Sequence, residues 1–165
     1  MYFRMHKKIG SRRGFTLIEL MVVIVMIGLL AAMAGPMYAR VLPRIKTRGE
    51  VRNMLNFVRT ARSRAISENS QYGVYFDING RQYTLFKDTV SPDNLTYDVG
   101  DSVVIGPLNL DPSVVYSGTS FANNCIIMLP TGAASQSGNL MVNSNHSDAL
   151  FTLSVLAATG KSKLQ

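Results

Sequence analysis

Residues 12–37 read RRGFTLIELMVVIVMIGLLAAMAGPM, and their reading decides the fold. From Phe15 to Met37 the run carries a single charge, Glu19. At about 1.5 Å per residue, a helix over residues 15–37 is long enough to cross a hydrocarbon core of roughly 30 Å. A plain transmembrane anchor fits that length. So does a secretory signal peptide, with a basic start, an apolar run and Ala32-Met33-Ala34 as a small-residue cleavage site. Neither accounts for Glu19, because a carboxylate in an apolar span costs about 2.5–3.5 kcal/mol on insertion scales and ordinarily marks a function with a partner.

The charges on either side of this run are unevenly placed. The chain has 165 residues and a net charge of +7. Residues 1–14 contribute +5 through Arg4, Lys7, Lys8, Arg12 and Arg13, and residues 15–39 contribute −1. Residues 40–64 contribute +7 and residues 65–165 contribute −4. A basic chain usually suggests a nucleic-acid partner. Here the cations flank an apolar span, as in a membrane protein with its positive end in the cytoplasm. The remaining globular part is mildly acidic. With 16% charged residues the chain is not disordered by composition, and its one long apolar run excludes a multi-span protein. A single cysteine, Cys125, and two histidines, His6 and His146, exclude an internal disulfide and leave little for a metal centre.

The order Arg12-Arg13-Gly14-Phe15-Thr16-Leu17-Ile18-Glu19-Leu20 resembles the class III signal of type IV prepilins and type II secretion pseudopilins. That resemblance implies cleavage after Gly14 by a dedicated prepilin peptidase and N-methylation of the new terminus, Phe15. It also implies that Glu19 pairs with the terminal amine of a neighbouring subunit. The physics agrees with the implication. Removing a basic leader creates an α-amine at the membrane face, and a carboxylate one helical turn along an adjacent chain can neutralise it. Breaking a buried pair by removing one member costs about 3–5 kcal/mol.

Beyond Pro36 the apolar stripe Tyr38, Val41, Leu42, Ile45, Leu55, Val58, Ala61 and Ala65 keeps largely to i, i+3, i+4 spacing, so the helix is expected to continue. Arg40, Arg44, Arg48 and Arg52 follow one another at four-residue steps on another face. That row reads as a solvated face, as a contact to lipid headgroups or neighbouring acids, or as a nucleic-acid contact. Pro36 and Pro43 are expected to kink or locally melt the helix. The helix is expected to stop near Glu68-Asn69-Ser70.

After Gln71 the period becomes two. Tyr72-Gly73-Val74-Tyr75-Phe76-Asp77 and Gln82-Tyr83-Thr84-Leu85-Phe86-Lys87 flank Asn79-Gly80, a hairpin signal. Further strands are expected at 103–105, 114–116, 125–129, 140–142 and 150–156, with residues 88–124 carrying a long, weakly patterned loop. The fold class is therefore α+β: a long N-terminal helix followed by an antiparallel sheet or small sandwich. Its parts are a leader over 1–14, a membrane or filament-core helix over 15–37, an amphipathic continuation over 38–70 and a β domain over 71–165.

The helix end Leu55-Asn56-Phe57-Val58-Arg59-Thr60-Ala61-Arg62-Ser63-Arg64-Ala65-Ile66, the strand Val74-Tyr75-Phe76-Asp77, Ile127-Met128-Leu129-Pro130-Thr131-Gly132 and the terminal Ala158-Thr159-Gly160-Lys161 resemble H-type (GspH/FimT) minor pseudopilins and minor pilins. The resemblance implies a structural subunit of a type II secretion pseudopilus. It would be anchored once in the bacterial inner membrane with its β domain in the periplasm, and partnered by other pseudopilins. The alternative is a FimT-type minor pilin that grips DNA for natural transformation, with Arg81, Lys87, Lys161 and Lys163 contacting phosphates.

An enzyme is not expected, because no GxSxG, HExxH, P-loop or paired-cysteine spacing occurs and no cofactor motif is present. Asp93, Asp98, Asp101 and Asp111 lack EF-hand spacing and read as a solvated acidic loop, without a metal. Cys125 reads as a small buried hydrophobe, His146 as a turn residue, and Lys161 and Lys163 otherwise as a solvated terminus.

Overall fold

The computed structural model describes residues 14–145 and 147–165, so residues 1–13 of the expected leader and the turn residue His146 lie outside the described residues. The chain divides into two compact units, one reaching to Tyr38 and the other running from Ala39 to Gln165.

Helix α1 (Leu17–Glu68) is the only α-helix among the described residues. Its N-terminal part is long and apolar enough to cross a membrane, and none of the side chains in that span is buried. The helix runs through both Pro36 and Pro43 without a melted turn. The donor that Pro43 lacks would have served Ala39, an exposed residue, so no buried carbonyl is stranded there. One turn on, the Thr47 hydroxyl donates to the Pro43 carbonyl at 2.9 Å. The helix ends where its sequence pattern ends. Asn69 takes a left-handed φ of 48°, and the Ser70 N–H closes onto the Ala65 carbonyl at 3.3 Å.

Within the second unit, α1 buries Val51, Met54, Leu55, Val58, Ala61 and Ala65. These positions form one helical stripe. It shares a core with Val74, Phe76 and Leu85 of one sheet, and with Leu140, Val142, Leu153 and Val155 of the other. Both sheets have four strands. The first is ordered β3-β2-β1-β5, and comprises β1 (Tyr72–Asp77), β2 (Gln82–Lys87), β3 (Ser102–Asn109) and β5 (Cys125–Met128). The second is ordered β4-β6-β7-β8, and comprises β4 (Val114–Thr119), β6 (Gly138–Ser144), β7 (Ser147–Leu156) and β8 (Lys161–Leu164). Every pairing is antiparallel.

The β1–β2 hairpin forms where Asn79-Gly80 places it, with a turn longer than a two-residue one. Asp77 faces Gln82, which leaves residues 78–81 in the loop. The left-handed residue is Arg81, at φ 54°, and the Asp77 carboxylate accepts the Gly80 N–H at 2.8 Å. The strands expected at 103–105 and 114–116 form as β3 and β4, each longer than its apolar nucleus, so the weakly patterned stretch 88–124 is loop only outside them. β3 is an edge strand with mostly exposed side chains. One expectation needs correction: Lys161 and Lys163, read as a solvated terminus, belong to strand β8, which pairs with β7 from Leu153↔Leu164 to Leu156↔Lys161.

Candidate functional site: an apolar helix and a cationic trough

In the first unit, every described side chain from Phe15 to Gly35 is exposed, and Glu19 carries the only charge among them. The Glu19 N–H donates to the Thr16 Oγ1 at 3.3 Å, a local cap that does not engage the Glu19 carboxylate. Gly14 and Phe15 precede the helix in an open, exposed position. The expected processing site and assembly carboxylate therefore lie within about one helical turn of each other at an exposed helix start.

The second unit carries the other charged feature. Arg44, Arg48 and Arg52 repeat at four-residue steps, and Arg59 follows after two further turns, so all four lie along one side of α1. β8 runs beside them. Together with Lys163 and Phe151, these arginines line a groove of about 820 Å³. A second groove of about 640 Å³ shares Arg59 and continues along Arg62, Gly160 and Lys161. The two make one trough between α1 and β8. Among the described residues, none of Arg44, Arg48, Arg52, Arg59, Lys161 and Lys163 has an ion-pair or side-chain hydrogen-bond partner. Arg62 is the exception on this wall. Its Nε donates to the Gly132 carbonyl at 2.8 Å and holds the loop after β5 against the helix.

The four basic residues named from the sequence are thus divided. Lys161 and Lys163 lie at the trough. Arg81 donates from one nitrogen to the carbonyls of Pro112 at 2.9 Å and Val114 at 2.6 Å, with Asp111 at 3.4 Å, and fastens the β3–β4 connection to the first hairpin. Lys87 pairs with Glu68 at 3.1 Å, and the Tyr72 hydroxyl also donates to Glu68. Neither Arg81 nor Lys87 lines the trough. Sequence reasoning missed the contribution of Arg59. The signal was available, because Arg52 and Arg59 are seven residues apart and a seven-residue step returns to the same helix side.

The acidic residues do not converge on one point. Asp101 accepts the backbone N–H groups of Thr89 and Val90 at 2.9 Å and of Asp98 at 2.8 Å, and so closes the loop from inside. Asp98 accepts from the Asn94 amide at 2.6 Å. Asp111 accepts from Ser113 and from Lys46, and these bonds, Ser113 first, hold its carboxyl down to about 2. Among the described residues no group of three or more His, Cys, Asp or Glu is placed to hold a metal ion.

Asp88 is the buried exception. It is 5% exposed, and neither of its oxygens has a hydrogen-bond partner. Burial first, then the charges of Asp101 and Asp98, pushes its pKa up to about 6. Tyr97, from the same loop, stacks on Tyr75 with ring centres 4.8 Å apart and tilts against Phe86 at the same distance. Cys125 is fully buried, and burial pushes its thiol upward.

With this geometry in place, comparison with known families is decisive. The family described as type II transport protein GspH matches residues 50–159, and the prokaryotic N-terminal methylation motif matches residues 9–35. The chain belongs to the GspH family. The GspH match takes in the last third of α1 and the sheet strands from β1 to β7, and the methylation motif takes in the apolar helix start.

Solved structures with the same fold include the minor pseudopilin EpsH from the type 2 secretion system of Vibrio cholerae. It is 14% identical, with 73% of this chain and 96% of that chain covered and a TM-score of 0.57. They also include the type IV minor pilin FimU of Pseudomonas aeruginosa, 12% identical, with 74% and 90% covered and a TM-score of 0.59. Among curated proteins, none matches the chain in sequence. This GspH-family chain thus has the pilin-like fold, one long helix followed by two antiparallel sheets, which it shares with a minor pseudopilin and a minor pilin. Its methylation motif implies processing by a prepilin peptidase.

Proposed function

We propose that the chain is a minor pseudopilin of a type II secretion system, a non-enzymatic subunit of the periplasmic pseudopilus that moves folded proteins across the outer membrane. The observation that carries a subunit role is the apolar helix start, exposed on every side and charged only at Glu19. Such a surface needs lipid before assembly and neighbouring helices after it. The GspH match over residues 50–159 supports the secretion machine. In this reading a peptidase cuts after Gly14, Phe15 becomes the methylated terminus, and Glu19 neutralises the amine of the next subunit in low dielectric. Residues 20–30 supply the packing surface, and the β domain faces the periplasm.

Deletion of the gene, complemented by the wild-type chain, tests the reading. Loss of outer-membrane secretion, with exported proteins held in the periplasm, is the expected result. Intact secretion with loss of surface pili would transfer the chain to a type IV pilus.

One observation favours a second reading, a minor pilin that takes up DNA: Lys161 and Lys163 lie beside the unpaired arginines of α1. A salt titration of duplex DNA binding by the full chain, with and without Lys161→Ala and Lys163→Ala, decides it. Phosphate contacts would weaken steeply with salt and depend on both lysines.

A further inference from the structure

The strand wall of the trough is the open edge of a sheet. β8 is last in the order β4-β6-β7-β8 and, among the described residues, pairs only with β7. Thr152 and Gln165 exchange both of their backbone hydrogen bonds, at 3.0 and 2.9 Å. In an antiparallel ladder the bonded and non-bonded pairs then alternate. Residues 161, 163 and 165 therefore turn their N–H and C=O groups toward β7, while Ser162 and Leu164 turn theirs the other way. Ser162 lines one end of the trough and Leu164 the other. An edge of this kind is a template for another strand.

Opposite that edge stand the unpaired guanidinium groups of α1. Arg44 to Arg59 extends about 22 Å along the helix axis at 1.5 Å per residue. An added strand of about seven residues has the same length at roughly 3.3 Å per residue. Like charges at four-residue spacing repel one another, and among the described residues no acidic side chain pairs with them. Leu55, Phe151 and Leu164 add apolar surface to the same groove.

We propose that the trough receives an extended, carboxylate-bearing segment of a neighbouring subunit, which pairs with β8 as an added strand and sets its carboxylates on Arg44, Arg48, Arg52, Arg59 and Lys163. This deepens the reading of the chain as an assembling subunit and rests on it. A polypeptide suits the edge better than a nucleic acid does. The edge offers carbonyls as well as N–H groups, and a phosphate backbone has only acceptors to set against them. A peptide supplies both kinds of group, and its alternate side chains meet the apolar lining.

The test uses the full chain in detergent micelles and fluorescence anisotropy. The probes are a labelled alternating Glu–Val peptide of about eight residues, the same peptide N-methylated at alternate amides, and a labelled oligothymidylate. The Glu–Val peptide is expected to bind, and the methylated peptide to bind about tenfold more weakly. Arg48 and Arg52 are exposed, so Arg48→Glu with Arg52→Glu should leave the circular dichroism unchanged. That variant should lose the acidic peptide and gain an alternating Lys–Val one. Equal binding of the methylated peptide, or preference for the oligothymidylate, overturns the proposal. A secretion defect in the deletion strain without peptide binding also overturns it, yet leaves the assembly role standing. Peptide binding by a chain whose deletion spares secretion supports the trough and removes the type II assignment.

Discussion

Leu17, Ile18, Met21, Ile24, Val25, Ile27 and Leu30 each leave more than half of their surface uncovered, whereas Val51, Met54, Val58, Ala61 and Ala65, further along the same helix, are completely buried. Both groups are apolar. What differs is the width of the apolar surface: the first part is apolar on all sides, and the second confines its apolar residues to one stripe with arginines beside it. A stripe can be satisfied by the chain's own sheets. A helix that is apolar all round needs a membrane or other helices. The comparison separates the information held in this chain into a fold that is complete from Ala39 onward and an interface that is completed by other molecules.

The largest expected effect comes from breaking the first part at its only charge. Glu19→Val should leave membrane insertion and cleavage after Gly14 intact while assembly fails, because the partner amine loses a counter-charge of about 3–5 kcal/mol. Co-purification of the variant with the other subunits is the measurement, and undiminished recovery would remove the role given to Glu19.

Gly160→Ala attacks the closed part. Gly160 has a φ of 59°, and an added Cβ would stand 2.2 Å from the Gly132 carbonyl oxygen. A backbone atom cannot give way as a side-chain tip can, so a loss of about 2–4 kcal/mol is expected, read as a lowered melting temperature.

Arg81→Ala should cost about 1.5–3 kcal/mol, since it strips charge-assisted donors from the carbonyls between β3 and β4. An unchanged melting temperature would mean that water replaces them.

Asp88→Asn should act in the opposite direction. The folded pKa of about 6 lies above the ordinary 3.8, so the wild-type carboxyl is harmless below about pH 4 and destabilises increasingly as pH rises through about 6. The variant should match the wild type at pH 4 and exceed it at pH 8 by about 1–3 kcal/mol. Thermal melts at both values check this.

How legible each part was follows from the range of the interactions that make it. The helix end at Glu68 and the hairpin at Asn79-Gly80 are local, and both stand where the sequence puts them. The core stripe was legible at Leu55, Val58, Ala61 and Ala65, where burial and helical period coincide, whereas Tyr38, Val41 and Ile45 of the same sequence stripe are exposed and the buried Val51 and Met54 were not read into it. β8 was not, since Lys-Ser-Lys-Leu has no apolar run and its strand character comes from pairing with β7. The trough was half legible for the same reason. The arginine row is periodic in the sequence, but only the return of β8 to the helix brings Lys163 beside it. Asp101 was read as one of several solvated acids because its partners are backbone N–H groups, which no side-chain pattern records.

The stack of Tyr97 on Tyr75 has an optical consequence. The chain has seven tyrosines and no tryptophan, so its near-ultraviolet signal is a tyrosine signal with no brighter chromophore to mask it. Two phenol rings 4.8 Å apart and nearly parallel couple their transitions, and one of them is carried by the segment that Asp101 closes and Asp88 underlies. Lifting of residues 88–101 from the sheet would separate the rings and change the near-ultraviolet circular dichroism. The molecule therefore carries its own label for that loop, readable in the wild-type chain without a dye.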